Sequence, residues 1–560
     1  MSLSIIALAY ALIGCIGGWG ILLTAGRNIL PEEQLRPMLA GWFGLTFALF
    51  LIPSGVVFLL FATVLLLALR AGGGDPVVLW MFLLGAVPTG GLLLQNLPFG
   101  INYLFHFTFA ILLSLVIAIP LLFARERRTV GEGAAAIDTL FVTGMTFMIL
   151  LSVRGSETFT SWLRESFVLT VSMIVPYFAI SRRLGTIRGV DLAVRALLCS
   201  FVVMAAVGFL GAVIGWVIYD LPESRLFQSD RVGYLQRAGL LRSGGTLGGA
   251  PIVFGTLMAI GATFALGMKE RFAATWQFAA VFGICCLGLI ASVSRGPMMG
   301  LVLSLVAYQF TQPGAAKNLV RLGLLTPIVL LPFVLFTTTG RELLAMLPFV
   351  GAEGGETVSY RSDLLAAGAK VFVRNPLFGS ATYLDTPEMQ AMVQGQGIVD
   401  MVNTYLWMTL LYGLVTSVPF TAALLVATAK TLRITLGLST EDDDARSWRR
   451  LGGALFAAQV GFLFVIGTVS FISLIPAMTC ILLGLHVAYV RTANAWLAER
   501  AAAPMEPSVA LPIVPEAEDA PEPRALPLAP PSPRPAASFG PQTPLEELGL
   551  EGFKPIGGTR

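Results

Sequence analysis

Three arginines between residues 242 and 361 each flank an apolar stretch. Arg295 lies between two such stretches with no acidic residue beside it, Arg361 begins an amphipathic segment, and Arg242 precedes a glycine-rich turn. A guanidinium binds phosphate oxygens through two parallel hydrogen bonds, and glycine backbone at a helix start approaches anions closely. These residues therefore predict a phosphate-binding site. The alternatives are that Arg295 only reaches interfacial water, that Arg361 pairs with Asp363, and that the residues after Arg242 form a plain turn.

Two carboxylates and an amide are candidates for acid–base work near these arginines. Asp400 lies where a long polar loop returns to an apolar stretch, and its carboxylate can take a proton from an attacking hydroxyl. Asn403 is interpreted as a group that orients this base or binds a sugar, and Asp363 is the second candidate base. Helix capping is the alternative for Asp400 and Asn403.

Tyr360, Arg374 and Tyr405 are the remaining candidates, for contacts with a bound ligand, and a solvated helix face is the alternative for Arg374. The chain has two histidines, His106 and His486, which argues against a histidine-rich metal centre. The five cysteines lie in apolar stretches without metal-ligand spacing, so we expect them to be small packing residues. The sequence predicts no metal and no cofactor.

Composition places these residues in a membrane protein. Of 560 residues, 56% are hydrophobic and 12% are charged, about half the charged fraction of a soluble domain. A bilayer can solvate that much apolar surface, whereas a soluble fold cannot bury it. No basic run resembles a nucleic-acid footprint, so we exclude nucleic acid as a partner.

Apolar runs long enough to cross a bilayer recur between residues 3 and 490, and the sequence predicts about 13–15 transmembrane helices. Residues 3–25 are predicted to be the first transmembrane helix rather than a signal peptide, because no charged residue precedes this apolar run. The expected spans are 3–25, 37–52, 54–70, 77–97, 101–123, 137–153, 166–180, 192–219, 247–268, 274–292, 297–311, 319–339, 403–429, 451–471 and 473–490.

Basic residues between the spans predict the orientation, because cytoplasmic loops carry an excess of lysine and arginine. The basic clusters are Arg125, Arg127 and Arg128; Arg182, Arg183 and Arg188; Lys269 and Arg271; Lys317 and Arg321; and Lys430, Arg433, Arg446, Arg449 and Arg450. Placing them in the cytoplasm of a bacterial cell puts segments 220–246, 293–296 and 340–402 on the periplasmic face of the inner membrane. All the candidate site residues then fall on, or border, that face.

The chain divides into three parts. Residues 1–220 are N-terminal membrane helices, and residues 221–490 form a second membrane region that contains the 340–402 loop. This loop has a helical stretch from Ser362 to Val373, which Asn375-Pro376 should end. Residues 501–560 are rich in proline and alanine, which predicts a disordered cytoplasmic tail. The tail is a candidate tether to a chain-length-regulating or export complex.

Short motifs in this second region resemble those of the O-antigen ligase/polymerase family of bacterial membrane glycosyltransferases. The motifs are S-x-S-R-G at 292–296, Y-R-x-x-L-x-x-A at 360–367, N-P-L-F-G at 375–379 and V-N-T-Y-L…Y-G-L at 402–414. The resemblance covers roughly 230–480. It implies an all-α polytopic helix bundle like the GT-C fold, a glycan donor linked to undecaprenyl diphosphate, and no metal.

The resemblance also implies roles for the candidate residues. Arg295, Arg361 and Arg242 would bind the diphosphate, and Tyr360, Arg374 and Tyr405 would contact the glycan. Ligases of the family carry a histidine immediately before the asparagine that corresponds to Asn403, where this chain has Val402. This difference favours an exopolysaccharide or O-antigen polymerase, with Asp400 as base, over a ligase that transfers glycan to lipid A core or protein.

Two other classes remain open from the sequence. A transporter or flippase for lipid-linked glycans would need polar residues in the middle of several spans. A non-catalytic scaffold of an envelope complex would use the proline-rich tail as its tether. The predicted charges collect near one membrane face, which favours the enzyme over the transporter.

Overall fold

The computed structural model describes residues 3–502 except 27, 30–31, 98–100, 124–132, 228–235, 238–239, 322, 325–351 and 395–396. The first basic cluster, most of the expected span at 319–339, the start of the long loop and the proline-rich tail lie outside the described residues. The disorder predicted for the tail therefore stays a prediction.

The described chain is almost entirely helical. The helices, which we number in chain order, are α1 (Leu3–Ala25), α2 (Glu32–Leu51), α3 (Gly55–Ala71), α4 (Pro76–Leu83), α5 (Phe109–Leu122), α6 (Ala135–Gly155), α7 (Phe159–Arg183), α8 (Ile187–Ile214), α9 (Asp220–Leu226), α10 (Pro251–Gly267), α11 (Thr275–Ala291), α12 (Arg295–Thr311), α13 (Ala352–Phe372), α14 (Pro387–Gln390), α15 (Thr404–Tyr412), α16 (Leu414–Gly437), α17 (Asp443–Ile466) and α18 (Ile475–Ala502). Two short hairpins pair β1 (Gly91–Leu97) with β2 (Ile101–Thr108) and β3 (Gln236–Arg237) with β4 (Leu240–Leu241).

Within the described residues, seven helices are long and apolar enough to cross a membrane: α1, α6, α7, α8, α16, α17 and α18. Four shorter apolar helices, α3, α5, α10 and α11, accompany them. Large apolar side chains remain exposed along α1 and α3, for example Ile16 and Leu60, as a lipid-facing surface requires. The expectation of an all-α polytopic helix bundle is thus confirmed, while the number of crossings stays a prediction.

The expectation of single spans at 77–97 and 101–123 is wrong. The first segment forms only the short helix α4 before β1, and the second begins with β2, which pairs antiparallel with β1. Helix α4 already ends at Leu83, ahead of Gly85 and Pro88, and hydropathy alone does not distinguish a short apolar strand from a helix. Pairing between the strands satisfies the backbone groups that a helix would have satisfied internally.

Ion pairs gather at one end of the bundle, which we call the basic end. Arg182 pairs with Asp138 at 2.6 Å and Arg271 with Asp191 at 2.8 Å, and Arg450 pairs with Glu270. These contacts join the start of α6, the end of α7, the start of α8, the α10–α11 connection and the start of α17. Several of the predicted basic clusters therefore share one end of the molecule.

The opposite end, which we call the loop end, is where α6, α11 and α17 finish and where the long loop packs. Within that loop α13 covers the predicted helical stretch Ser362 to Val373 almost completely, begins earlier, and ends at Phe372, before Asn375-Pro376. The helix-stopping role of this pair is confirmed. Proline lacks the N–H that a continuing helix requires.

Small residues bring α12 and α17 close together and set the geometry of the loop end. A Cβ atom added at Gly461 would lie 2.1 Å from the Ser304 hydroxyl and 2.4 Å from the Gly300 carbonyl oxygen. Close backbone approach of this kind is the usual reason for small residues between membrane helices. The packing leads directly to the first turn of α12, where Arg295 begins the helix.

Candidate functional site

A turn at 467–474, between α17 and α18, is the point at which the candidate residues converge. A Cβ atom added at Gly296 would lie 2.6 Å from the Thr468 hydroxyl, so the start of α12 touches this turn. Arg361 donates a hydrogen bond from Nη2 to the Thr468 carbonyl oxygen at 3.2 Å. Arg361 and the first turn of α12, which carries Arg295, therefore both contact Thr468.

Arg295 is partly buried at the first helical position of α12. Its Nε is buried and has no hydrogen-bond partner within the part of the chain that the structure describes. A buried donor on a charged group costs more to leave unsatisfied than a neutral one. Arg295 is therefore a candidate to bind an anionic ligand.

Arg242 supports the turn that presents Arg295. Arg242 is 4% exposed, and its guanidinium donates to the Ser292 carbonyl oxygen at 3.4 Å and to the Ser294 hydroxyl at 3.0 Å. Between these two serines Val293 has a φ of +47°, which is strained for a β-branched residue. Arg242 thus contacts the turn that precedes Arg295.

The glycine-rich turn at 243–250 binds a carboxylate of the protein itself. The Gly249 N–H donates to Oε2 of Glu223 at 2.7 Å, and Glu223 is 4% exposed. A Cβ atom added at Gly248 would lie 1.8 Å from the same oxygen, and its φ of +66° also requires glycine. The anion predicted to lie against this backbone is, at Gly249, the Glu223 side chain.

Asp400 approaches the 467–474 turn from the long loop. The Ser470 hydroxyl donates to its Oδ1 at 3.5 Å, and the Tyr360 hydroxyl donates to its carbonyl oxygen at 3.1 Å. Burial raises the pKa of the Asp400 carboxyl, while the Ser470 hydrogen bond and the positive charge of Arg361 oppose that rise. Arg361 and Asp400 are therefore electrostatic neighbours in one site.

The other predicted residues have contacts of a structural kind. Asn403 caps α15 by accepting a hydrogen bond from the Leu406 N–H at 3.1 Å, and the Tyr405 hydroxyl donates to the Leu463 carbonyl oxygen at 2.9 Å. Arg374 forms a two-pronged ion pair with Glu388, which lowers the pKa of that carboxyl. Asp363 is exposed on α13.

Two of the sequence motifs pack against each other at the loop end. The Leu414 N–H donates to the Pro376 carbonyl oxygen at 2.9 Å, and a Cβ atom added at Gly413 would lie 2.2 Å from the Leu377 carbonyl oxygen. The N-P-L-F-G and Y-G-L segments thus form one joint between the long loop and α16. Its close backbone contacts require the glycines.

Sequence reasoning missed three contributors. Arg154, at the end of α6, donates to the carbonyl oxygens of Gly379 at 3.1 Å, Phe378 at 2.8 Å and Leu411 at 2.9 Å, and so holds this joint. Thr468 and Ser470 are ordinary polar residues in a short turn, which no pattern singles out. For Arg154 a signal existed: an arginine that ends an apolar helix opposite the basic clusters.

The fold and this site define a class, a multi-pass all-α membrane protein with an arginine- and carboxylate-lined site at one end of its bundle. The chain matches no protein-family model and no curated protein. Chemically, the site offers an anion two guanidinium groups and offers a hydroxyl one partly buried carboxylate.

Proposed function

We propose that this protein is a membrane glycosyltransferase that polymerises undecaprenyl-diphosphate-linked repeat units of an exopolysaccharide or O-antigen at the periplasmic face. The observation that carries the proposal is that Arg361 and the helix start that bears Arg295 both contact Thr468, while Asp400 accepts a hydrogen bond from Ser470, two residues further on. Two cations and one base around one turn can serve transfer of a glycan from a lipid diphosphate.

In the proposed reaction the acceptor hydroxyl attacks the anomeric carbon of the donor glycan. The new C–O bond forms as the bond from that carbon to the diphosphate oxygen breaks, and the electron pair stays on the diphosphate. Arg295 and Arg361 stabilise this developing charge. The hydroxyl proton passes to Asp400, and Arg242 contributes by holding the turn that positions Arg295.

The contacts favour Asp400 over Asp363 as the base. Asp400 is partly buried beside Arg361 and Ser470, whereas Asp363 is exposed on α13. A raised pKa makes a carboxylate a stronger proton acceptor than an ordinary aspartate once it is ionised. Asn403, as the cap of α15, holds the segment that follows Asp400.

An in vivo polymer assay tests the proposal, with Arg295→Ala and Arg361→Ala compared at matched protein levels. Loss of one preorganised electrostatic donor should lower the rate by roughly 10²–10³-fold. Arg374→Ala is the matched control, because its guanidinium is at the same end but is engaged by Glu388. Polymer of near-normal length in both site variants would contradict the proposal.

The lipid-linked intermediates distinguish a polymerase from a ligase. Mass analysis of lipid extracts from the Arg295→Ala strain should find single repeats on undecaprenyl diphosphate if the chain is a polymerase. Full-length chains on the lipid would instead support the ligase. The presence of Val402, rather than histidine, before Asn403 favours the first outcome.

A further inference from the structure

The turn at residues 375–379, which carries the N-P-L-F-G motif, exposes two large apolar side chains next to each other. Leu377 is 57% exposed and Phe378 is 50% exposed. Apolar side chains that are grouped on a protein surface are typical of an interaction site. The position of the turn in the bundle indicates which partner covers them.

The apolar surface of the turn continues onto two membrane-spanning helices. The Val415 N–H on α16 donates to the Leu377 carbonyl oxygen at 3.1 Å, and Val418, one helical turn further along α16, is exposed. Arg154, near the end of α6, donates to the carbonyl oxygen of the next residue of the turn at 2.8 Å, and Val153 beside it is also exposed. The outer surfaces of α6 and α16 therefore lead directly to the exposed side chains of the turn.

All five carbonyl oxygens of the turn accept hydrogen bonds from described residues. The donors are the backbone N–H groups of Gly379, Leu414 and Val415 and the guanidinium of Arg154, at distances of 2.8–3.1 Å. A loop that faces water can leave such groups to the solvent, whereas backbone in contact with hydrocarbon must be satisfied within the protein. The turn meets this requirement although its side chains are exposed.

The lengths of the two helices place the turn near the boundary of the apolar layer. On α6, Asp138 and Arg154 are about 24 Å apart at a rise of 1.5 Å per residue. On α16 the same distance separates Leu414 from Lys430, the first charged residue of that helix. A hydrocarbon core is about 30 Å thick. Because Asp138 and Lys430 lie at the basic end, the apolar layer should extend past Leu414 to the level of the turn.

We propose that the N-P-L-F-G turn inserts Leu377 and Phe378 into the bilayer and thereby anchors the long loop at the membrane interface. Lipid acyl chains solvate the two side chains, and Arg154 fixes the turn to α6 at that depth. This lipid contact involves none of the residues assigned to glycan transfer, so it stands or falls independently of the proposed function.

Spin-label collision measurements on the full-length protein in phosphatidylcholine–phosphatidylglycerol nanodiscs test this contact. A nitroxide attached at Phe378→Cys or at Leu377→Cys should collide several-fold more often with oxygen, which concentrates in hydrocarbon, than with a water-soluble nickel chelate. Thr382→Cys, which is exposed in the same loop, is the matched control and should show the opposite preference. The parent protein, labelled in the same way, gives the background from the native cysteines.

Two results of this experiment would overturn the proposal. Equal oxygen-to-nickel collision ratios at Phe378→Cys and Thr382→Cys would place the turn in water. Low collision rates with both reagents at Phe378→Cys would show that protein, such as a second copy of the chain, covers this surface instead of lipid.

A second pair of variants changes the affinity of the turn for lipid and leaves its backbone hydrogen bonds in place. Phe378→Asp puts a charge where hydrocarbon is expected, which is costly, so limited proteolysis in nanodiscs should cleave the long loop faster than in the parent protein. Phe378→Trp keeps a side chain that favours the membrane interface and should be cleaved at the parent rate. Equal cleavage of the two variants would also overturn the proposal.

Discussion

Arg295 combines a position at the start of a helix with a buried Nε that no described residue satisfies. Arg242 and Arg361, by contrast, both donate to backbone or hydroxyl oxygens around the same two turns. These contacts indicate different roles for the two arginines. Arg242 holds the turn that precedes Arg295, and Arg361 links the 467–474 turn to Asp400. Arg295 then provides the most available charge for a diphosphate.

The raised pKa of Asp400 leads to a pH-dependent prediction at the residue scale. A base acts only when ionised, so the rate of polymerisation should fall as the pH drops through this raised pKa, at a higher pH than for an ordinary aspartate. The measurement is the pH dependence of polymer formation by purified enzyme on lipid-linked repeats. Asp400→Asn should be nearly inactive, and Asp363→Asn should keep the parent profile. An unchanged acid limb in Asp400→Asn would exclude Asp400 as the base.

Residue types predicted part of this site and missed the rest for a physical reason. Arg295, Arg361 and Asp400 are detectable because charges beside apolar spans are costly. Thr468 and Ser470 act through contacts with residues more than 60 positions away, which one sequence does not reveal. Asn403 was predicted to orient the base or to bind a sugar. Its observed contact is the helix cap that was the alternative.

At the scale of elements, the α12–α17 contact should control how close Arg295 comes to Thr468. Gly461→Ala places a methyl group against the Gly300 carbonyl oxygen, and such overpacking costs about 1–3 kcal/mol. We expect a lower unfolding temperature by scanning fluorimetry together with reduced polymer formation. Gly283→Ala on α11, where nothing lies within 4 Å of the added atom, is the control. Equal unfolding temperatures for the two variants would refute the role of this contact.

Arg154 supports a second prediction at this scale. Its three carbonyl contacts join α6 to the N-P-L-F-G turn and to the end of α15, and hydrogen bonds from charged donors contribute about 1.5–3 kcal/mol each at most. Arg154→Ala should therefore expose the long loop to limited proteolysis. Arg374→Ala instead removes an exposed ion pair that water screens, and this variant should be cleaved at the parent rate. Identical cleavage of both variants would argue against this role of Arg154.

Helices were predicted best where the sequence has a long, uninterrupted apolar run. Helices α1, α8 and α18 follow the expected spans 3–25, 192–219 and 473–490 within several residues at most ends, although α18 runs on to Ala502. The β1–β2 hairpin was missed because its strands are as apolar as a membrane helix. Only the pairing partner distinguishes the two structures, and it lies outside any local window.

At the scale of the whole molecule, the bundle has a basic end and a loop end, and their sidedness is testable. Thr382→Cys at the loop end and Thr440→Cys at the basic end are both exposed, whereas four native cysteines are buried and Cys286 is partly buried. A membrane-impermeant maleimide added to intact spheroplasts should label Thr382→Cys at once. It should label Thr440→Cys only after permeabilisation. The reverse pattern would place the site in the cytoplasm and exclude a periplasmic transferase.

The global architecture was predictable because the bilayer limits the choices. Composition alone indicated a membrane bundle, and the basic residues anticipated which helix ends lie together, as the pairs Arg182–Asp138 and Arg271–Asp191 illustrate. The meeting of three separate chain segments at the 467–474 turn was not predictable, since it depends on how the helices pack. That packing brings the start of α12 against the Thr468 side chain at Gly296 and against α17 at Gly461.

Binding of undecaprenyl diphosphate to the purified full-length protein, followed by native mass spectrometry, tests the central claim most directly. Loss of a hydrogen bond to a charged group costs about 1.5–3 kcal/mol, so Arg295→Ala and Arg361→Ala should each weaken binding by roughly 10- to 100-fold. Arg374→Ala should bind like the parent protein. Equal affinity in all four proteins would contradict the account.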